Sequence, residues 1–271
     1  MSKVDWDDAF SNAAYIADGS TYPDRWRRNA TVFIKTQKYV ELNTPYGEHP
    51  RQKYDRFLPS TKPKGLVVFI HGGYWLDFDK SYWSHLAQGC CEQGWTVAIP
   101  SYVLAPAVKI SEITKMIAQA IETCSKQLDG PIVLSGHSAG GHLVTRMICE
   151  SSPLEDNVKS RITRIVTISG VHDLRNLIHT RMNEQLRLSI DEAVAESPAL
   201  QTPIASANVT CWVGSKERPE FLSQANKLRD AWQNRVSNIQ VIIEPNRHHF
   251  DVIASMSDPN SPLTIALVGD S

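Results

Sequence analysis

Gly65-Leu66-Val67-Val68-Phe69-Ile70 runs for six residues without one polar side chain. A strand this uniformly apolar must be covered on both faces, as happens in parallel sheets sandwiched by helices. Shorter apolar runs recur at Trp95 to Ile99, Pro131 to Ser135, Ile165 to Ser169, Val209 to Val213 and Ile239 to Ile243. Helical patterns separate them, among them Ser111 to Leu128 and Ala139 to Glu150. Strands alternating with helices predict an α/β fold, a mostly parallel central sheet with helices on both faces. Ligands then gather beyond the strand C-termini.

At 271 residues one domain is expected. Lys53 to Leu58 alternates polar and apolar residues, which predicts an exposed edge strand. The N-terminal segment 1–36 reads as two helices, Asp5 to Ala17 and Tyr22 to Lys35, with Ser20 and Thr21 as caps, forming a small helical cap on the main body. From Arg175 to about Pro203 the rhythm is interrupted by two amphipathic helices, and segment 175–203 is the expected lid over the ligand edge.

A formal net charge of −1 supplies no field to gather phosphates or anionic lipid, so neither nucleic acid nor a membrane surface is an expected partner. The partner expected is a small-molecule acyl substrate; sheet edges or the N-terminal helices offer surfaces for a homodimer. Cys90, Cys91, Cys124, Cys149 and Cys211 are odd in number and lack C-x-x-C spacing, and no run of about 18 apolar residues occurs. With an acidic N-terminus lacking an apolar signal core, these features predict a cytoplasmic protein.

The chemistry centres on Gly136-His137-Ser138-Ala139-Gly140, a G-x-S-x-G placed between an apolar strand and a helical run. Such a turn presents the serine hydroxyl clear of the sheet and aims the amide of Ala139 at the developing oxyanion. His71-Gly72-Gly73-Tyr74-Trp75 follows the first buried strand, and the amides of Gly73 and Tyr74 are candidates for the other half of the oxyanion hole. His71, Gly72, Trp75 and His137 are expected to line the substrate pocket, His71 chiefly by fixing the loop. A serine nucleophile needs a base and an acid to orient it, following in that fold as acid and then histidine. Glu217 lies just past the run ending at Gly214, with Glu220 and Asp173 as competing acids. His248 and His249 are adjacent after another strand, and His249, beside Phe250, is the expected base.

These pieces resemble the kynurenine formamidase (arylformamidase) branch of the α/β hydrolases, which carry H-G-G-x-W. The likeness extends through Tyr46-Gly47 to Arg51, Asp55 to Pro59, Ser169 to Leu174, Glu217 with Pro219-Glu220-Phe221, and His249-Phe250-Asp251. The resemblance implies a Ser138, Glu217, His249 triad and hydrolysis of an aryl formamide such as N-formylkynurenine. Members often have aspartate where this chain has Glu217, and many bacterial relatives are known only as esterases or thioesterases. A short-chain carboxylesterase or thioesterase is therefore the alternative, and a non-catalytic binding protein of the same fold a distant one. No metal or organic cofactor is expected: H-E-x-x-H, a P-loop and a dinucleotide fingerprint are absent from the sequence.

Overall fold

The computed structural model describes residues 4–206 and 208–269. Its strands are β1 Val40–Pro45, β2 Lys53–Phe57, β3 Leu66–Ile70, β4 Thr96–Pro100, β5 Ile132–His137, β6 Ile162–Ile168, β7 Asn208–Gly214 and β8 Asn238–Glu244. They form one sheet in the order β1-β2-β4-β3-β5-β6-β7-β8. The β1–β2 and β2–β4 pairings are antiparallel, and every pairing from β4 to β8 is parallel.

The main helices are α1 Trp6–Ala9, α2 Tyr22–Thr36, α3 Ile110–Ser125, α4 Ala139–Arg146, α5 Pro219–Trp232 and α6 Pro262–Val268, with shorter turns between them. β3 shows why its sequence is uniformly apolar. Leu66, Val68 and Ile70 pack on one face with Ile113 and Ile117 of α3, Leu143 of α4 and Leu228 of α5. Val67 and Phe69 pack on the other with Trp26 and Phe33 of α2 and Leu263 and Leu267 of α6. Alternate side chains of one strand thus serve two cores.

The expected edge strand lies inside the sheet. β2 sits between β1 and β4, and Asp55 and Arg56, whose charges suggested solvent, are buried. Burial is tolerated because each is paired: Asp55 Oδ1 lies 2.7 Å from Lys80 Nζ and accepts from the Asn43 amide, while Arg56 donates to Glu41 and Gln127. The edge belongs to β1, a largely exposed strand without an apolar run to announce it.

The first N-terminal helix is shorter than expected, and segment 175–203 holds its two helices as short ones. Asp5 to Ala17 is helical only over α1, because the Phe10 carbonyl accepts from the Tyr74 hydroxyl at 2.6 Å instead of continuing a helix; turns follow at Ala13–Tyr15 and Gly19–Thr21. Segment 175–203 breaks into Asn183–Leu186, Ile190–Ala195 and two flanking turns, with Leu177, Leu186 and Ala193 buried in the core.

Replacing Lys80 by Met should cost about 3–5 kcal/mol, since it strands the buried Asp55 carboxylate, and adding Asp55→Leu should recover most of the loss. Urea unfolding of the two variants measures this; equal destabilisation by both would contradict the ion-pair account.

Candidate active site

Ser138 stands between β5 and α4 at φ 55° and ψ −116°, a backbone conformation L-residues rarely adopt. The turn is tight enough to exclude side chains beside it. A Cβ on Gly136 would lie 2.3 Å from the Gly140 carbonyl oxygen, and one on Gly140 would lie 2.0 Å from the Ile70 carbonyl oxygen. The Ser138 amide donates to the Ile168 carbonyl at 2.8 Å, anchoring the elbow to β6. Among the described residues the Ser138 hydroxyl has no hydrogen-bond partner, and it faces a cavity of about 470 Å³.

The loop after β3 runs at positive φ through Gly73 (109°), Tyr74 (50°) and Trp75 (60°). A Cβ on Gly73 would lie 2.5 Å from the Asp77 carbonyl oxygen, so only glycine closes this turn. The amides of Gly73, Tyr74 and Ala139 donate to no acceptor among the described residues. Gly72, Gly73, Tyr74, His137, Ser138 and His249 all border the cavity.

His249 Nδ1 lies 2.7 Å from Glu217 Oε2, both side chains almost wholly buried. A carboxylate can only accept, so Nδ1 carries the proton and the bare Nε2 is the nitrogen free to accept one. Glu217 Oε1 accepts from the Ser169 hydroxyl and, at 3.0 Å, from the Gly214 amide. The competing acids are engaged elsewhere: Asp173 forms a forked pair with Arg175, and Glu220 bonds Gln224 and Lys227. His248 turns away to the Tyr22 hydroxyl at 3.1 Å.

His137 connects the two halves of the site. Its Nε2 donates to the His249 carbonyl at 2.8 Å and the two rings lie 4.6 Å apart. Burial, and then the neighbouring His249, hold its pKa well below the ordinary histidine range, so it is a neutral strut. Of the other residues expected in the pocket, Gly72 borders the cavity while His71 and Trp75 stand behind its wall. The His71 ring stacks on Tyr102 at 4.3 Å and its Nδ1 donates to the Gly72 carbonyl at 2.8 Å; Trp75 packs edge-on against His142.

The rest of the cavity wall was not foreseen. Phe10, Trp26, Phe78, Trp83 and Phe250 join Tyr74 around it, and Met182 is the contribution of segment 175–203. The cover comes chiefly from residues 7–26. Phe10 and Trp26 lay in a helical pattern whose apolar positions read as core, and only tertiary packing turns them toward Ser138. Ser169 ends a strand and opens one of the stretches that carry the resemblance, but its bond to Glu217 had no signal in the sequence. Among the described residues no cluster of His, Cys, Asp or Glu has the makings of a metal site.

A parallel sheet flanked by helices, with a serine on the turn after its fifth strand, defines an α/β hydrolase. The BD-FAE family profile matches residues 55–230. Kynurenine formamidases of Danio rerio and Salmo salar are 29% and 30% identical, over 89% and 84% of this chain and 85% and 80% of theirs. The crystal structure of a candidate thioesterase from Silicibacter sp. tm1040 is 48% identical and superposes with a TM-score of 0.92, over 98% of this chain and 99% of that one. The chain belongs to the BD-FAE family and is a serine hydrolase of small acyl bonds.

Changing Glu217 to Gln should lower kcat by roughly 10⁴-fold, the size of an acid-to-amide change in a serine protease triad, while Asp173→Asn and Glu220→Gln leave it within about threefold. Steady-state rates on any turned-over acyl substrate decide between the three acids.

Stability should fall in mild acid. Burial lowers His71 and His142 to about 4 and His172 to about 3, so the folded protein keeps them neutral. The unfolded chain, with imidazoles near a pKa of about 6.5, takes up their protons first. Their contribution is therefore complete above about pH 6.5 and is lost as pH falls toward about 4, by up to about 1.4 kcal/mol per pH unit for each. The urea midpoint should be lower at pH 5.5 than at pH 7.5; equal midpoints would contradict this.

Proposed function

We propose that Ser138, His249 and Glu217 form a catalytic triad that hydrolyses an aryl formamide, with N-formylkynurenine the leading substrate, to formate and an aromatic amine. His249 Nε2 takes the Ser138 proton as Oγ attacks the formyl carbon, and Glu217 holds the imidazole in the tautomer this requires. The amides of Gly73, Tyr74 and Ala139 receive the oxyanion; losing one such donor costs about 3 kcal/mol of barrier. Collapse transfers the His249 proton to the departing amine nitrogen. Water, deprotonated by His249, then cleaves the formyl ester on Ser138.

The observation that carries this reading is the chamber beside Ser138, whose walls are six aromatic rings. An aryl leaving group stacks there at little cost in ordering. The kynurenine formamidase relatives point the same way. A second reading, hydrolysis of a short-chain ester or thioester, is favoured by the likeness to the Silicibacter candidate thioesterase and uses the same groups.

We place the protein in a reducing cytoplasm. All five cysteines are unpaired thiols, and burial holds the Cys149 thiol up at about 11 and the Cys211 thiol at about 12. No helix among the described residues is long and apolar enough to cross a membrane.

Rates on N-formylkynurenine, p-nitrophenyl acetate and p-nitrophenyl butyrate, with Ser138→Ala as the blank, test the assignment. A formamide kcat/KM at least about tenfold above both esters, abolished in the variant, is expected. Ester turnover alone would make the protein an esterase, and activity surviving in Ser138→Ala would remove the serine mechanism.

A further inference from the structure

We propose that the active-site cavity selects the charge of the leaving group: it favours aromatic amines or alcohols whose side chain carries an ammonium, and gives a carboxylate on that side chain no cationic partner. The inference rests on Ser138 as nucleophile but not on the scissile bond being a formamide.

Two carboxylates, Asp7 on the N-terminal cover and Asp77 after the glycine loop, border the cavity. Among the described residues no lysine or arginine borders it. Asp77 is exposed and has no ion-pair partner among the described residues. Asp7 accepts from the Arg181 amide at 2.8 Å and from its guanidinium at 3.2 Å, yet the Arg181 side chain is 86% exposed and projects outward from the rim. The next charges out, Asp8 and Arg218, pair with each other. Of the two histidines in the wall, His137 is held neutral by burial, and His249 carries its proton toward Glu217.

The walls between the two carboxylates reinforce the same sign. Trp26, Phe78 and Phe250 all border the cavity, and Trp26 meets Phe78 edge-on at 5.8 Å and Phe250 edge-on at 5.3 Å, so the rings around it are set at steep angles to one another. Ring faces attract cations, and a cavity with low-dielectric walls concentrates the field of its acids. An ammonium on a two-carbon side chain of a bound arene meets carboxylates and ring faces. A carboxylate in its place meets the same groups with the sign reversed. N-formylkynurenine carries both charges, and its ammonium is the one these groups recognise. Partly exposed pairs are worth about two- to fivefold each, so two carboxylates with the rings give a discrimination of about tenfold.

The test is a matched series of para-substituted formanilides, bearing hydrogen, aminoethyl or carboxyethyl, together with the same series of phenyl acetates. The expected kcat/KM ratio of aminoethyl to carboxyethyl is about tenfold or more at low salt. It should shrink toward unity near 1 M salt, where charges are screened beyond about 3 Å. In the Asp7→Asn/Asp77→Asn double variant the low-salt ratio should drop at least threefold. Equal or faster turnover of the carboxyethyl compound overturns the proposal, as does a ratio that the double variant leaves unmoved. If the formanilides are inert while the acetates react, the formamide reading falls and the acetate series decides charge selection by the same criteria.

Discussion

The site depends on one close backbone approach, that of Gly140 to the last carbonyl of β3, where no Cβ would fit. It draws the start of α4 against the strand from which the glycine loop departs. Ser138 and the glycine loop at Gly73 and Tyr74 are thereby brought to the same cavity. In the proposed mechanism, amides held this way by backbone packing would stabilise developing charge with little reorganisation. The strained backbone at Ser138 is held by the same contact and by its amide bond to β6.

Glu217 and His249, the proposed acid and base, lie on loops after β7 and β8 and are registered by polar contacts buried from water. Glu217 is fixed by Ser169 and Gly214 before it ever meets His249. His137, a neighbour of the nucleophile in sequence, holds the backbone of the base. Such buried bonds are costly to leave unmade, so the loops have one satisfied arrangement.

Most of the sheet was legible because its strands are apolar on both faces, and that pattern has no competing reading once helices separate the runs. The motifs around Ser138 and Gly73 were legible because backbone geometry dictates glycine at fixed offsets. His249 and Glu217 were proposed from chain order, though the reason Glu217 rather than Asp173 or Glu220 bonds His249 is a matter of partners, Arg175 and Lys227, that no local pattern reveals. β2 was misplaced because its charges are neutralised by Glu41 and Lys80, residues remote in sequence. The aromatic chamber was hidden for a related reason: an apolar stripe on α2 looks the same whether it faces a core or a substrate. Segment 175–203, read as a lid, sends Leu177, Leu186 and Leu188 into the core and Met182 to the cavity wall.

Glu217 and Arg218 are consecutive, and they face different tasks. The first orients the imidazole; the second stacks on Tyr15 at 3.6 Å and grips Asp8, tying down the N-terminal cover. Phe10 of that cover rests edge-on against Phe221, which lies 4.4 Å from the His249 ring. The roof over the cavity is thus fastened at two places, beside Glu217 through Arg218 and Phe221 and on the sheet through Trp26 and Phe33. A change confined to Arg218 therefore reshapes the chamber from its roof while Ser138 and the sheet beneath keep their places.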